Sequence, residues 1–530
     1  MVDHVGQSAL GPGNSLWEFG HLLWRPLGWL LATLAGPVMS SLTDWTPFMQ
    51  AAFVLLAVSA LSSVVTVVLW YLLLIEVAQS RTTAFLVTLA LACTHAFLLY
   101  AHSGCPYIPG LMCVSASLYC LRKDALTAAG VFYALGAALW FPFVLSGAGL
   151  ALVAAGPAGS EIRLRDRLRI MKPARVLRFS AISAVVLIAI YGLGAAARQV
   201  TSVREAKAWF SESNHGLEQN MKALRLTTGL PRSFFFLGKD GIVFKRFLKH
   251  DPYAPVTITD LFTASLWKIA AFYVFLICLF RELWRSWSAW PLLLLLLGSL
   301  PAILFAVFLF EPSQAERYLP AAPFLVFATG WIFRDFARQR RATQWIIAGF
   351  LVAVVLNSGY SFAAPRVESA NKDSWSRIAT LRSRVTGNSV AVVATNQDEL
   401  ENFTSRSIFG AVNRPQLFRL YDVIDPASLR SLQWREEFAT VVFGVWKDGG
   451  EVWISKRLWS SQPRPAWNWV EGDGPYGSWG DLFKFFSVMQ TDADADGSDG
   501  FARLARNDAN TAYLTPFGAA YRRPSELTAK

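Results

Sequence analysis

Long apolar runs separated by short basic loops restrict this 530-residue chain more than any other feature. A helix crossing a bilayer needs about 20 mostly apolar residues, because the hydrocarbon core is about 30 Å thick and a helix rises about 1.5 Å per residue. The stretches 51–76, 83–101, 177–197, 261–280, 289–310, 318–334 and 343–363 meet that requirement, and 104–121 is shorter but alike. The run from Ala125 to Gly156 is too long for one span. Pro142, after Trp140 and Phe141, interrupts it, which predicts two short helices forming a hairpin. Only 16% of residues are charged and 54% are hydrophobic. An ordinary soluble domain carries about 25% charged residues. The expected fold class is therefore an α-helical polytopic membrane bundle of about 10–11 spans with a small α/β domain after it.

Basic residues give the orientation. Arg81, the pair Arg122 and Lys123, the series from Arg163 to Arg178, Arg281 with Arg285, and Arg334 with Arg338, Arg340 and Arg341 all occupy alternate short loops. Loops of that kind stay on the cytoplasmic side. Both flanks of 125–156 are basic, so the chain must enter and return between them. The long loop 198–260 and everything after Pro365 then lie outside a multi-pass cytoplasmic (inner) membrane protein. The net charge of +12 follows this loop pattern, which argues for a membrane lipid partner and against nucleic acid.

The start of the chain leaves two readings open. Met1–Gly13 has no Lys or Arg and no apolar core, so it does not read as a signal peptide. Leu27–Leu42 reaches about 24 Å and contains Gly36 and Pro37. Either it lies along the outer surface, the preferred reading, with an upstream span missing from the chain, or it crosses. The domain plan is an outer loop and surface helix at 1–50 and the bundle at 51–364. A soluble α/β domain at 365–490 and a mobile polar tail at 491–530 complete it.

In the soluble part, Lys372–Arg384 and Asp398–Ile408 read as helices, and Ser389–Ala394 and Gln416–Leu420 as strands. Thr440–Trp446 and Glu451–Lys456 read as a hairpin turning at Asp448-Gly449-Gly450. No glycine follows the first strand in TNQDE, so a nucleotide loop is not indicated. Trp467, Trp469, Tyr476 and Trp479 read as packing or interface rings rather than sugar platforms. The stretch Asp492–Gly500 imitates a calcium loop, but its twelfth position is Arg503 rather than a bidentate carboxylate. The five cysteines, Cys93, Cys105, Cys113, Cys120 and Cys278, sit in or beside apolar runs without zinc-ligand spacing and read as inert thiols.

Three constellations could carry chemistry. In Asn14–Gly28, Glu18, His21 and Arg25 are spaced by three and four residues and would share a helix face, with Trp17 and Trp24 anchoring at the interface. The balance there is even between a site and a plain amphipathic helix. In Glu311–Pro320, Glu316, Arg317 and Tyr318 stand where a span begins, and arginine suits a phosphate oxygen. In 229–255, Arg232, Lys239, Lys245, Arg246, Lys249 and His250 alternate with aromatics and could hold an anionic headgroup. His95, inside a span, reads as a packing residue.

Taken together, these motifs resemble the GT-C fold of membrane glycosyltransferases, in particular bacterial relatives of the dolichyl-phosphate-mannose protein mannosyltransferases. The likeness rests on H-x-L-x-x-P-x-G at His21, Leu23, Pro26 and Gly28, on E-R-Y-L-P at 316–320, and on Tyr107-Ile108-Pro109 opening a span that ends at Leu121-Arg122. It covers about residues 14–420, by layout more than identity. It implies transfer of a sugar, with inversion, from a polyprenyl-phosphate donor to a glycan, lipid or protein acceptor on the outer face. Glu18 would be the base, with Asp44 a second candidate, and Arg317 the phosphate ligand. Arg25, Lys245 and Arg246 would help, His21 would orient, and Tyr107, Glu316 and Tyr318 would complete substrate binding. Apart from this lipid-linked donor no cofactor is implied, and a need for a divalent metal is left open. Two departures stand out: relatives usually carry an acidic residue directly after a first span that this chain does not show, and Cys105 occupies the place where many relatives carry a glutamate. A transporter or lipid flippase, or a noncatalytic envelope assembly protein, are the alternative readings.

Overall fold

The computed structural model describes residues 16–43, 47–156, 169–212, 223–237, 256–285, 290–309, 314–334, 341–363, 390–394, 416–419, 433–456, 484–492 and 501–518, with Phe247 and Arg384. The chain forms a helical unit over 3–241 and 259–364 and a smaller unit built mainly from residues after Pro365.

The helical unit contains α1 (Trp24–Leu42), α2 (Pro47–Ala78), α3 (Arg81–Ala92), α4 (His95–Ala101), α5 (Tyr107–Arg122), α6 (Leu126–Leu139) and α7 (Gly147–Ala155). It continues through α8 (Pro173–Ala197), α9 (Val203–Glu212), α10 (Ala223–Phe234), α11 (Ile258–Arg285), α12 (Trp290–Leu309), α13 (Ala322–Arg334) and α14 (Arg341–Ala363). Among the described residues five helices, α2, α8, α11, α12 and α14, are long and apolar enough to cross a membrane, and α3 with α4, bent by 70°, is a broken span or a re-entrant pair. α1 is not one of them. Leu61, Val64 and Val68 on α2 and Val185, Ile188 and Leu193 on α8 are exposed, as faces that meet lipid must be.

The bend falls at Cys93-Thr94. Thr94 is extended, and its hydroxyl turns back to donate to the Leu91 carbonyl at 2.8 Å. The Ser358 hydroxyl of α14 donates to the Cys93 carbonyl. Backbone groups released by a break inside a bilayer need such partners, since no water supplies them.

The predicted pair of short helices in 125–156 is α6 and α7, joined by the 3₁₀ turn Phe141–Ser146 with Pro142 in its first positions. They do form a hairpin. Arg175, at the start of α8, donates to Asp124 before α6 and to the Ala154 carbonyl at the end of α7, the latter at 3.0 Å. One side chain thus ties both feet together. At the same end, Lys123 pairs with Glu76 of α2, and Arg122 lies 3.6 Å from the same carboxylate. Arg122, Lys123 and Arg175 therefore gather at one end of the bundle. Glycines set the spacing within it: a Cβ on Gly110 would lie 2.4 Å from the Phe143 ring, and one on Gly136 would lie 3.1 Å from the Gly110 carbonyl.

In the smaller unit β1 (Val390–Ala394), β2 (Gln416–Arg419), β3 (Glu451–Ser455) and β4 (Phe501–Arg503) form a sheet of order β2-β1-β3-β4. β1 is parallel to β2 and β3, and β3 is antiparallel to β4. Helices α15 (Gln433–Lys447) and α16 (Asp508–Leu514) complete it. The expected hairpin is corrected here, because Thr440–Trp446 belongs to α15. Phe438, Val442, Val445 and Trp446 are buried at helical spacing. Asp448-Gly449-Gly450 is that helix's stop: Gly449 has φ +70, Gly450 N–H donates to the Val445 carbonyl at 2.8 Å and Gly449 N–H to Trp446 at 3.1 Å. That pair of bonds is a Schellman cap. Residues 501–518, expected in a mobile tail, supply β4 and α16, with Phe501, Leu504 and Leu514 buried. Arg503 donates to Asp492 at 2.7 Å and to Glu451 at 3.2 Å, which accounts for the broken calcium pattern as an ion-pair network. The helices expected at 372–384 and 398–408 lie outside the described residues apart from Arg384, as do Trp467, Trp469, Tyr476 and Trp479.

Candidate functional site

At the end of the bundle opposite the basic loops, four segments converge: the stretch before α1, the end of α4, the start of α5 and the turn before α13. Contrary to expectation, Glu18, His21 and Arg25 do not lie on one helix, because a 3₁₀ turn at Phe19–His21 precedes α1. Their side chains meet nonetheless. Glu18 Oε2 is 2.6 Å from Arg25 Nη2 and 3.4 Å from His21 Nδ1. Glu18 and Arg25 are both buried, at 5% and 8% exposure, and buried charges persist only when paired.

The backbone here is clamped from several directions. Leu23 N–H donates to the Ala138 carbonyl at the end of α6, and the Tyr191 hydroxyl donates to Phe19 O, both at 3.1 Å. The Trp209 indole of α9 donates to Trp17 O at 2.7 Å. Trp24 is not the interface anchor predicted from its spacing. It is fully buried, and its indole donates to the Gly104 carbonyl at 3.1 Å, which ties α1 to the loop leading into α5.

The second constellation is the 3₁₀ turn Ala315–Ala321. The Tyr100 hydroxyl of α4 donates to Glu316 Oε2 at 2.5 Å, and Arg317 Nε is 3.6 Å from Glu316 Oε1. Ser146 Oγ donates to the Pro320 carbonyl at 3.0 Å and Ser233 Oγ to the Ala315 carbonyl at 3.4 Å. Tyr318 is buried beside them.

Tyr107 joins the two. Its ring packs edge-on against Tyr100 at 4.7 Å and Trp140 at 4.6 Å. Its hydroxyl lies within the electrostatic reach of Glu316, Arg317 and Glu18. Of the predicted residues, Glu18, His21, Arg25, Tyr107, Glu316, Arg317 and Tyr318 are thus drawn to one region, whereas Lys245, Arg246 and Asp44 lie outside the described residues. Tyr100, Trp140 and Ser146 were missed. Nothing local marks Tyr100 as a partner for a residue 216 positions away. The region offers carboxylates and cations within a shared buried setting, which equips it to accept a proton and to neutralise a developing anion. Among the described residues, no group of three His, Cys, Asp or Glu side chains is placed to hold a metal.

Fold and site together define a polytopic α-helical membrane protein with a polar cluster at one end of its bundle and a small α/β domain. No protein-family model and no curated protein matches the sequence. Among solved structures, the chain is similar to the crystal structure of ArnT from Cupriavidus metallidurans bound to undecaprenyl phosphate, at 13% identity and a TM-score of 0.45, over 96% of this chain and 93% of that one.

Proposed function

We propose that this protein is a membrane glycosyltransferase that moves a sugar from a polyprenyl-phosphate carrier to an acceptor on the outer face of the cytoplasmic membrane. One observation carries the reading: Tyr107 packs on Tyr100, the donor to Glu316 beside Arg317, and also feels the charge of Glu18. The proton acceptor and the cation that such a transfer needs then share one site.

In this reading the Glu18 carboxylate takes the proton of an acceptor hydroxyl as its oxygen attacks the anomeric carbon. The bond from that carbon to the phosphate oxygen breaks with inversion, and the electron pair leaves with the phosphate. Arg317 neutralises the departing anion, and Glu316, held by Tyr100, fixes the arginine. Arg25 and His21 hold the Glu18 oxygen in place. Lys245 and Arg246 are further candidates for the carrier. The acceptor is a glycan, lipid or protein, and the likeness to protein mannosyltransferase relatives makes a hexose the first donor to try. The test is transfer in proteoliposomes from labelled polyprenyl-phosphate sugars, with the substitutions described in the Discussion.

A second reading has its own observation. The span broken at Cys93-Thr94, with ionisable His95 just beyond the break, is a device that transporters and lipid flippases use. Movement of a labelled polyprenyl phosphate across vesicles without sugar transfer would favour it.

A further inference from the structure

Each carbonyl of Trp17-Glu18-Phe19 accepts a hydrogen bond. The Trp209 indole of α9 donates to the Trp17 carbonyl at 2.7 Å, and the His21 N–H donates to the Glu18 carbonyl at 3.2 Å. The Tyr191 hydroxyl of α8 donates to the Phe19 carbonyl at 3.1 Å. The two side-chain donors thus act on the residues immediately before and after the proposed base. They come from 192 and 172 positions along the chain.

The rings of these donors are seated against the same segment. The Phe19 ring lies 4.9 Å from Tyr191, 5.3 Å from Trp209 and 5.0 Å from Phe210. Trp209 is buried. A glycine makes its place: a Cβ on Gly194 of α8 would lie 2.7 Å from Leu22 and 3.2 Å from the Trp209 ring.

Burial of these rings holds the segment against α8 and α9, but hydrophobic contact carries no direction. The hydrogen bonds supply it. A peptide unit is planar, so a held carbonyl fixes its whole plane. Trp209 holds the plane that enters Glu18, the His21 N–H holds the plane that leaves it, and Tyr191 holds the next. Between the first two planes Glu18 is extended, with φ −77 and ψ 132. Its Cα–Cβ direction is therefore set, and the carboxylate reaches Arg25 at 2.6 Å.

We infer that Trp209 and Tyr191 are positioning residues for Glu18, acting through the main chain to set the direction in which its carboxylate meets an acceptor. The inference deepens the proposed function and rests on it where Glu18 is the base.

The test is a double-mutant cycle on the full chain in proteoliposomes, read as label leaving a polyprenyl-phosphate hexose. Trp209→Phe and Tyr191→Phe keep a ring and remove the donor. Each is expected to lower kcat about tenfold, with KM for the carrier little changed. In a Glu18→Gln background neither should lower the residual rate further. An equal loss in both backgrounds, or wild-type kcat in both single variants, would overturn the inference.

A second measurement needs no turnover. Carbodiimide modification of Glu18, located by peptide mass spectrometry, should run several-fold faster in both variants than in the intact chain. Faster modification without sugar transfer would uphold the positioning and contradict the role of Glu18 as base. Unchanged modification in both variants would overturn the positioning whatever the chain transfers. A monodisperse elution profile and an unchanged melting temperature qualify each variant. If Trp209→Phe fails that check, Tyr191→Phe decides.

Discussion

The Tyr100 hydroxyl donates to Glu316 Oε2 at 2.5 Å across 216 residues of sequence, and so pins the turn before α13 to the end of the bent span. Glu316 in turn lies beside Arg317. Tyrosine thus acts on the arginine through the carboxylate. Tyr100→Phe removes a hydrogen bond to a buried charged group, at about 1.5–3 kcal/mol. Sugar transfer should fall by up to about a hundredfold through misplacement of Arg317, with kcat falling more than KM rises. A variant with wild-type kcat would show that Glu316 needs no such holding.

Helix spacing around α12 rests on a glycine. A Cβ at Gly298 would come 2.2 Å from the Phe324 ring, whereas one at Gly349 meets nothing within 4 Å. Close backbone approach of this kind is how membrane helices pack. Gly298→Ala should therefore destabilise the bundle by about 1–3 kcal/mol through overpacking, and Gly349→Ala should not. Thermal unfolding of both variants in one detergent reads the difference, and equal melting temperatures would contradict the packing.

The start of α9 gives a pH dependence. Backbone N–H groups of Thr201 and Ser202 hold the Glu205 carboxyl below its ordinary range, and Ser202 Oγ accepts from Glu205 N–H at 3.2 Å, a capping box. A carboxyl lowered in the folded state contributes stability that is present above its unfolded value, about 4.3, and is lost as pH falls through the lowered value. Hydrogen-exchange protection of residues 203–212, corrected for intrinsic rates, should hold at neutral pH and drop in acid. Glu205→Gln should flatten that profile. An acid response that persists in the variant would assign it elsewhere.

Much of the membrane part was legible because bilayer thickness imposes a length on apolar runs and charge imposes a side on loops. The hairpin at 125–156 could be read from Pro142 and its basic flanks, and Arg175 confirms it by reaching Asp124 and Ala154 together. The misreading of Thr440–Trp446 has a local cause: Val441 and Val442 beside an Asp-Gly-Gly turn imitate a hairpin strand. The burial of Phe438, Val442 and Val445 obeys the helical period instead. For the site, residue types and motif order pointed to Glu18 and Arg317, yet the partners that fix them were invisible. Tyr100 and Ser146 are chosen by tertiary contact across long stretches of chain.

In the proposed reaction Glu18 and Arg317 serve one transfer, both close enough for their charges to act on Tyr107. The most direct test compares sugar transfer by the intact chain with Glu18→Gln and Arg317→Ala in proteoliposomes carrying labelled polyprenyl-phosphate sugars. Loss of the base should lower the rate about 10²–10⁴-fold, and loss of the cation about 10²–10³-fold, with both proteins still folded. Transfer that survives Glu18→Gln undiminished would contradict the assignment of the base and the shared site built on it.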